Sequence, residues 1–121
     1  MSNAAQAYSR TSQTTASPRE IEAQALLKAA RQLQEVQANW AGPDKNMHNA
    51  LLFNRRLWSI FMSAAESSDN QQSLEVRQNI ANIGVLVMKQ TVDMQMNPDP
   101  AKLKSLIDIN CNLAAGLSGR A

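Results

Sequence analysis

Along most of the chain, apolar residues recur at spacings of three and four positions, which is the period of an amphipathic helix. Four such stretches follow one another, from Leu26 to Trp40, from Met47 to Ala65, from Val76 to Met94 and from Leu103 to Leu117. Short polar segments separate them. The pattern predicts an all-α fold, an antiparallel four-helix bundle in up-down-up-down order.

The first helix has a well-defined start. Ser17 can accept a hydrogen bond from the first turn, Pro18 suits the first helical position, and Glu20 completes a capping box. Proline also keeps the residue before it out of the α conformation, so any helix upstream must stop at Ser17. These signals predict a bundle domain over 17–121 and a separate leader over 1–16, either flexible or docked on the bundle.

The other helix limits follow from turn residues and caps. Gly42 and Pro43 end the first helix near Asn39, and Asp44 can cap the second. The third starts near Ser73. The run 97–100, Asn-Pro-Asp-Pro, is a break, after which Asp99 is expected to cap a fourth helix with Pro100 at its first position.

The centre of the third stretch is the least clear part of this pattern. It reads "IGVLVMKQTV" over 83–92 and is rich enough in β-branched residues to be a buried strand instead. The flanking residues keep the helical period, which favours a helix.

Composition agrees with helix packing in a single domain of 121 residues. Apolar residues make up 44% and aromatic residues only 4%, so Leu, Ile, Val, Ala and Met must build the core. Cys111 is the only cysteine and cannot form an internal disulfide. No apolar run approaches the roughly 20 residues of a membrane span, and no apolar signal core is present. We expect a cytoplasmic protein that does not insert in membranes.

Little in the sequence suggests catalysis. His48 is the only histidine and is expected on the surface, and Cys111 is expected to be a small buried apolar side chain. No zinc-type spacing or phosphate loop appears, so no enzyme activity, cofactor or metal is expected. The 12 basic and 10 acidic side chains are scattered, which argues against direct RNA binding.

Three amides and two aromatic residues lie on or beside the apolar stripes and allow two interpretations. Asn54, Asn79 and Asn110 are either core amides that set the helix register, which we favour, or a polar ladder for an incoming helix. Phe61 is expected in the core. Trp58 fits the core and an interface about equally well.

Several segments of the chain resemble the FlaF family, the flagellar biosynthesis regulators of flagellated α-proteobacteria. In family order they read "AY…TASPREIEAQALLKAARQL", "LLFNRRLWSIF", "RQNIANIGVLV" and "LIDINCNLAAGL". The resemblance implies a small cytoplasmic protein that is needed for flagellin production or export. It also implies action alongside FlbT, which restrains flagellin translation.

A shorter resemblance concerns only the first twenty residues. Ala7 and Tyr8, followed by Thr15-Ala16-Ser17-Pro18-x-Glu20, are similar in spacing to the N-terminus of FliS, the flagellin export chaperone. That family forms an antiparallel helical bundle that holds the helix-prone C-terminal segment of flagellin. Its leader can occupy part of the binding surface.

Together the two resemblances imply a flagellin chaperone whose leader covers an apolar groove and whose cap at Ser17, Pro18 and Glu20 acts as a hinge. The alternatives are a regulator of flagellin mRNA that works with FlbT, and a helical interaction module, such as a dimer that contacts FlbT. The expected partner-binding residues are Tyr8, Leu26, Leu33, Trp40, Trp58, Ile80 and Val87.

Overall fold

The computed structural model describes residues 17–119, which form four α-helices and contain no strand. The all-α prediction is therefore confirmed, and the third stretch is a helix. A single 3₁₀ turn at Pro100–Lys102 precedes the last helix. The helices are α1 (Pro18–Ala38), α2 (Lys45–Glu66), α3 (Leu74–Met96) and α4 (Leu103–Leu117).

The first two helices begin at the predicted caps, and the third, expected to start near Ser73, is capped by that residue. The side-chain oxygen of Ser17 accepts a hydrogen bond from the Glu20 N–H at 3.1 Å. Asp44 and Ser73 accept in the same way from the N–H three residues on, at 2.9 and 3.2 Å. Each bond pairs one of the backbone donors that a helix start leaves free.

The fourth helix begins differently. Asp99 bonds the N–H two residues on, at Ala101, and this tighter turn is 3₁₀, so α-helical geometry starts only at Leu103. The Lys102 ammonium lies 3.0 Å from the Asp93 carboxylate and so ties this turn to the end of α3. The hydrogen bond from Lys102 lowers the pKa of Asp93 below its ordinary value of 3.8.

The helices do not pack equally with one another. α1 packs closely along α4 and also against α2, and α2 packs against α3, whereas α3 touches α4 only sparsely. Gln37 near the end of α1 donates to the Pro100 carbonyl at 3.1 Å, and Arg77 of α3 donates to the Ala65 carbonyl of α2 at 2.7 Å. Each helix thus has a packed neighbour, while the up-down-up-down order stays a prediction.

A short polar chain crosses the centre of the core. The indole N–H of Trp58 donates to Asn110 Oδ1 at 3.0 Å. Asn110 Nδ2 donates to Asn54 Oδ1 at 2.7 Å and to the Leu26 carbonyl at 3.4 Å. The Trp58, Asn110 and Asn54 side chains are fully buried. This chain links α1, α2 and α4, so Asn54 and Asn110 are core amides, while Asn79 is exposed.

The direction of these hydrogen bonds is set by Trp58. An indole N–H can only donate, so the oxygen of Asn110 must face it. The nitrogen of Asn110 then faces the oxygen of Asn54. The remaining donor, Asn54 Nδ2, is buried and has no protein partner among residues 17–119.

Gly84 of α3 packs closely against the side chain of Met62 of α2. A Cβ atom built on Gly84 would lie 2.5 Å from Met62 Cγ and Sδ. Met62 thus fills the space that a side chain at this position would need. This explains why α3 contains a glycine here, although glycine lowers helix stability by about 1 kcal/mol relative to alanine.

We expect Asn110→Ala to lower the free energy of unfolding by about 2–4 kcal/mol, since it leaves the Trp58 N–H unpaired and opens a small cavity. Asn79→Ala is the matched control and should change stability by less than about 0.5 kcal/mol, because this amide is exposed. Urea denaturation followed by circular dichroism measures both. Equal losses for the two variants would show that the buried chain contributes nothing specific.

We expect Gly84→Ala to destabilise the chain by about 1 kcal/mol, because overpacking against Met62 outweighs the gain in helix propensity. In a Met62→Ala background the same change should become stabilising. A double-mutant cycle on unfolding free energies measures this. An effect of the same sign and size in both backgrounds contradicts the close approach as the reason for the glycine.

Candidate functional site

An open groove lies where α1 begins, α2 ends and α3 begins. We call it the Ser17 groove, and its volume is about 670 Å³. Its lining residues are Ser17, Pro18, Arg19 and Glu22 of α1, Ile60, Phe61, Ala64 and Ala65 of α2, Asn70, Gln71 and Gln72 of the α2–α3 loop, and Ile80 of α3.

The groove exists because α1 begins at Pro18 and therefore covers only part of α2. Lys28 of α1 lies over the ring of Phe53 of α2, with Nζ 5.4 Å from the ring centroid. Two turns further along α2, Ile60 lies beside the first turn of α1. Beyond Pro18 no described helix continues over α2, and Ile60 stays 64% exposed.

The floor of the groove is apolar and its rim is polar. Ile60, Ala64 and Ile80 supply an aliphatic surface, and the buried Phe61 side chain also lines it. Phe61 is held there by an edge-to-face contact with Trp58, with ring centroids 5.7 Å apart. An apolar concave floor with a polar rim is the usual character of a binding site for an apolar helix or peptide.

Hydrogen bonds hold the α2–α3 loop in place at one wall of the groove. Asn70 Nδ2 donates to the Ala64 carbonyl at 2.8 Å, and Asn70 Oδ1 accepts from the Gln72 N–H at 2.8 Å. The Ala64 carbonyl, in the last turn of α2, also accepts from the Ser67 N–H at 3.2 Å. This wall is thus formed before any partner arrives, which lowers the entropic cost of binding.

Glu22 is the carboxylate on the groove wall. Burial raises the pKa of the Glu22 carboxyl above its ordinary value of 4.5, and the positive charge of Arg19 opposes part of this shift. The wall therefore holds its carboxylate in partly apolar surroundings.

In the comparison with known protein families, the model of the flagellar protein FlaF matches residues 4–117. The chain belongs to the FlaF family. No curated protein and no solved structure matches it. Membership in the FlaF family assigns the chain a flagellar role, and the family is not a known enzyme family.

The groove contains some of the residues that the sequence singled out in this FlaF-family chain. Ile80 lines it, and Ser17 and Pro18 form its upper edge, with Glu20 exposed in the same helical turn. The cap is observed, while its use as a hinge stays a prediction. Tyr8 lies outside the described residues.

The remaining predicted residues lie elsewhere. Trp40 lines a second, more polar hollow of about 430 Å³ at the α1–α2 turn. Leu26, Leu33, Trp58 and Val87 are fully buried in the core. A partner could reach these four only if the bundle opened, and their role in binding stays a prediction.

Ile60 is the groove residue that the sequence pattern failed to single out. It lies on the widened apolar face of α2, which α1 would have covered if it had begun further upstream. The available signal was the mismatch between this wide face and the sharp start of α1 at Pro18.

Residues that carry chemistry are dispersed. Within residues 17–119, no three His, Cys, Asp or Glu side chains come close enough to hold a metal ion. His48 is exposed, and Cys111 is half-buried against the core. No helix in this range is long and apolar enough to cross a membrane.

We expect Glu22→Gln to stabilise the chain slightly at pH 7, by less than about 1 kcal/mol because the site is partly solvated. The pKa of Glu22 in the folded state lies above its value in the unfolded state. The wild-type chain therefore loses stability as the pH rises from the unfolded-state pKa through the folded-state pKa. The stability gained by Glu22→Gln should vanish at about pH 3, where the Glu22 carboxyl is protonated in both the folded and the unfolded state.

Urea denaturation at the two pH values measures this difference. Glu35→Gln is the matched control on α1, because its side chain is exposed. A larger gain at low pH than at neutral pH would contradict the assignment of burial as the cause.

Proposed function

We propose that this chain binds a helical terminal segment of flagellin in the Ser17 groove and acts as a cytoplasmic flagellin chaperone that regulates flagellin export and synthesis. The observation that carries the proposal is the open apolar floor of the groove, which includes the exposed side chain of Ile60. The flagellar role of the family supplies the context in which such a groove would meet flagellin.

The shape of the groove favours a helix as its occupant. α1 and α3 form two walls over the α2 floor, and the small side chains of Ala64 and Ala65 let another backbone approach closely. An amphipathic helix would place apolar residues of successive turns along this floor. Burial would contribute about 25 cal/mol per Å² of apolar area, and ordering of the partner would offset part of this gain.

We infer that the leader, residues 1–16, competes with such a helix. Residues 1–16 join the bundle at Ser17, which is itself part of the groove wall. Tyr8 is nine residues upstream, so about 30 Å of extended chain separates the two. Because the Ser17 cap bonds within α1, displacement of the leader would leave the helix start intact.

The RNA-linked alternative has less support from the surface. Arg55 and Arg56 are both exposed, yet they are adjacent on α2 and point about 100° apart. Binding to flagellin mRNA would fall steeply with salt, whereas binding to an apolar flagellin helix would not.

FlbT is a further proposed partner, and the mass of the purified complex shows whether it is present.

We expect the full chain to co-purify with its cognate flagellin and Ile60→Lys to weaken this binding about tenfold or more, because a charge would be buried on the groove floor. Leu86→Lys is the control, since Leu86 is also exposed but lies outside the groove. Deletion of residues 1–16 should tighten binding. A chain that binds no flagellin with or without this segment contradicts the proposal.

A further inference from the structure

The third helix, α3, is the least buried helix of the bundle. Four of its 23 residues are buried, compared with seven of 22 in α2 and five of 15 in α4. Because burial of apolar surface is the main force that holds a helix in place, α3 is docked more weakly than its neighbours. Of the eight large apolar side chains that are exposed in residues 17–119, six belong to α3. They are Leu74, Val76, Val85, Leu86, Val92 and Met96.

α3 also packs closely on only one neighbour. It packs against α2, touches α4 sparsely and has still less contact with α1. In contrast, α1 packs against both α2 and α4. Moving α3 away from the bundle would therefore disturb one close helix–helix interface and leave the others intact.

The buried polar groups do not hold α3 to the rest of the bundle. The hydrogen-bonded chain in the core joins α1, α2 and α4 and includes no residue of α3. Thr91 is buried on α3, but its hydroxyl donates to the Val87 carbonyl of the same helix at 2.7 Å. Gln90 Oε1 is buried and has no protein partner among residues 17–119. Return of this oxygen to water would offset part of the cost of moving α3.

The side-chain hydrogen bonds from α3 to other parts of residues 17–119 lie near its two ends. Arg77 donates to the Ala65 carbonyl at 2.7 Å, and Asp93 pairs with Lys102 at 3.0 Å. Over 78–92, the side-chain hydrogen bonds stay within the helix. The middle of α3 is therefore held to α2 by apolar contacts alone.

α3 would not keep its helical structure once it had left α2. Its centre, residues 83–92, contains five β-branched residues and Gly84. Both kinds of residue lower helix propensity, and most helix stability in proteins comes from tertiary packing. Undocking and unfolding of α3 are therefore expected to occur together.

We propose that α3 opens as one unit, undocking from α2 and unfolding while α1, α2 and α4 stay folded around the buried polar chain. Ile80 of α3 lines the Ser17 groove. Opening therefore removes one wall of the groove and uncovers the face of α2 beside it, so α3 is a movable wall that widens the groove. The proposal concerns the free chain and does not depend on which molecule the groove binds.

Amide hydrogen exchange of the full chain, resolved by residue with NMR, tests the proposal. We expect the amides of residues 80–92 to exchange together, about 100-fold or more faster than the most protected amides of α1 and α4. Their exchange should also depend less on urea, because opening of one helix exposes less surface than global unfolding. Protection of residues 80–92 equal to that of α1 and α4 overturns the proposal. So does protection that falls gradually from the centre of α3 to its ends, because that is fraying.

Two valines of α3 provide a matched pair of variants. Val87 is fully buried, whereas Val85 is 47% exposed. Val87→Ala should speed exchange over residues 80–92 about tenfold or more, because it removes buried methyl groups that hold α3 to the bundle. Val85→Ala should change this rate less than about threefold. Equal effects of the two variants contradict opening by loss of the buried face.

A disulfide between α2 and α3 gives a second test. A Cβ atom at position 84 would lie 2.5 Å from Met62 Cγ, and hence at most about 4 Å from Met62 Cβ, which is one bond further away. Disulfides join Cβ atoms about 3.5–4.5 Å apart. In a Cys111→Ala background, the oxidised double variant Met62→Cys and Gly84→Cys should exchange residues 80–92 about tenfold or more slowly than its reduced form. Equal exchange in the two forms overturns the proposal.

Discussion

The hydrogen-bonded chain from Trp58 through Asn110 to Asn54 is the constraint on which the arrangement of this bundle depends. Apolar side chains pack in many registers at similar cost, but three buried polar groups can be paired in very few. Because the indole can only donate, each amide has a single acceptable orientation. These hydrogen bonds therefore set the position of α4 relative to α2, and the additional bond to the Leu26 carbonyl sets the position of α1 along the bundle.

The position of α1 along the bundle axis decides where the bundle is open. With α1 held at Leu26, its first turn at Pro18 reaches α2 beside Ile60 and extends no further. The Ser17 groove is the result. α3 depends mainly on α2 for its packing, and within residues 17–119 several of its large apolar side chains stay exposed. The described bundle thus presents the concave apolar surface of the Ser17 groove and an exposed apolar face on α3.

The candidate site could be predicted only in part. Ser17, Pro18 and Ile80 were singled out from the sequence and do line the groove. Leu26, Leu33, Trp58 and Val87 were chosen from the same apolar stripes and are fully buried. Periodicity identifies the face of a helix that needs cover, but it does not show which part of that face a neighbour covers. Ile60 was missed for the same reason, since its exposure depends on where another helix ends.

The amino-acid sequence by itself determined the all-α class and the starts of the first three helices. Those features rest on interactions within a few residues, such as the bond from the Glu20 N–H to Ser17, and such interactions are visible in the order of residues. Only the tertiary structure decided which apolar positions became core, groove or exposed surface. The contacts that decide this join residues far apart in the chain, 52 positions for Trp58 and Asn110 and 84 for Leu26 and Asn110. No local pattern contains that information.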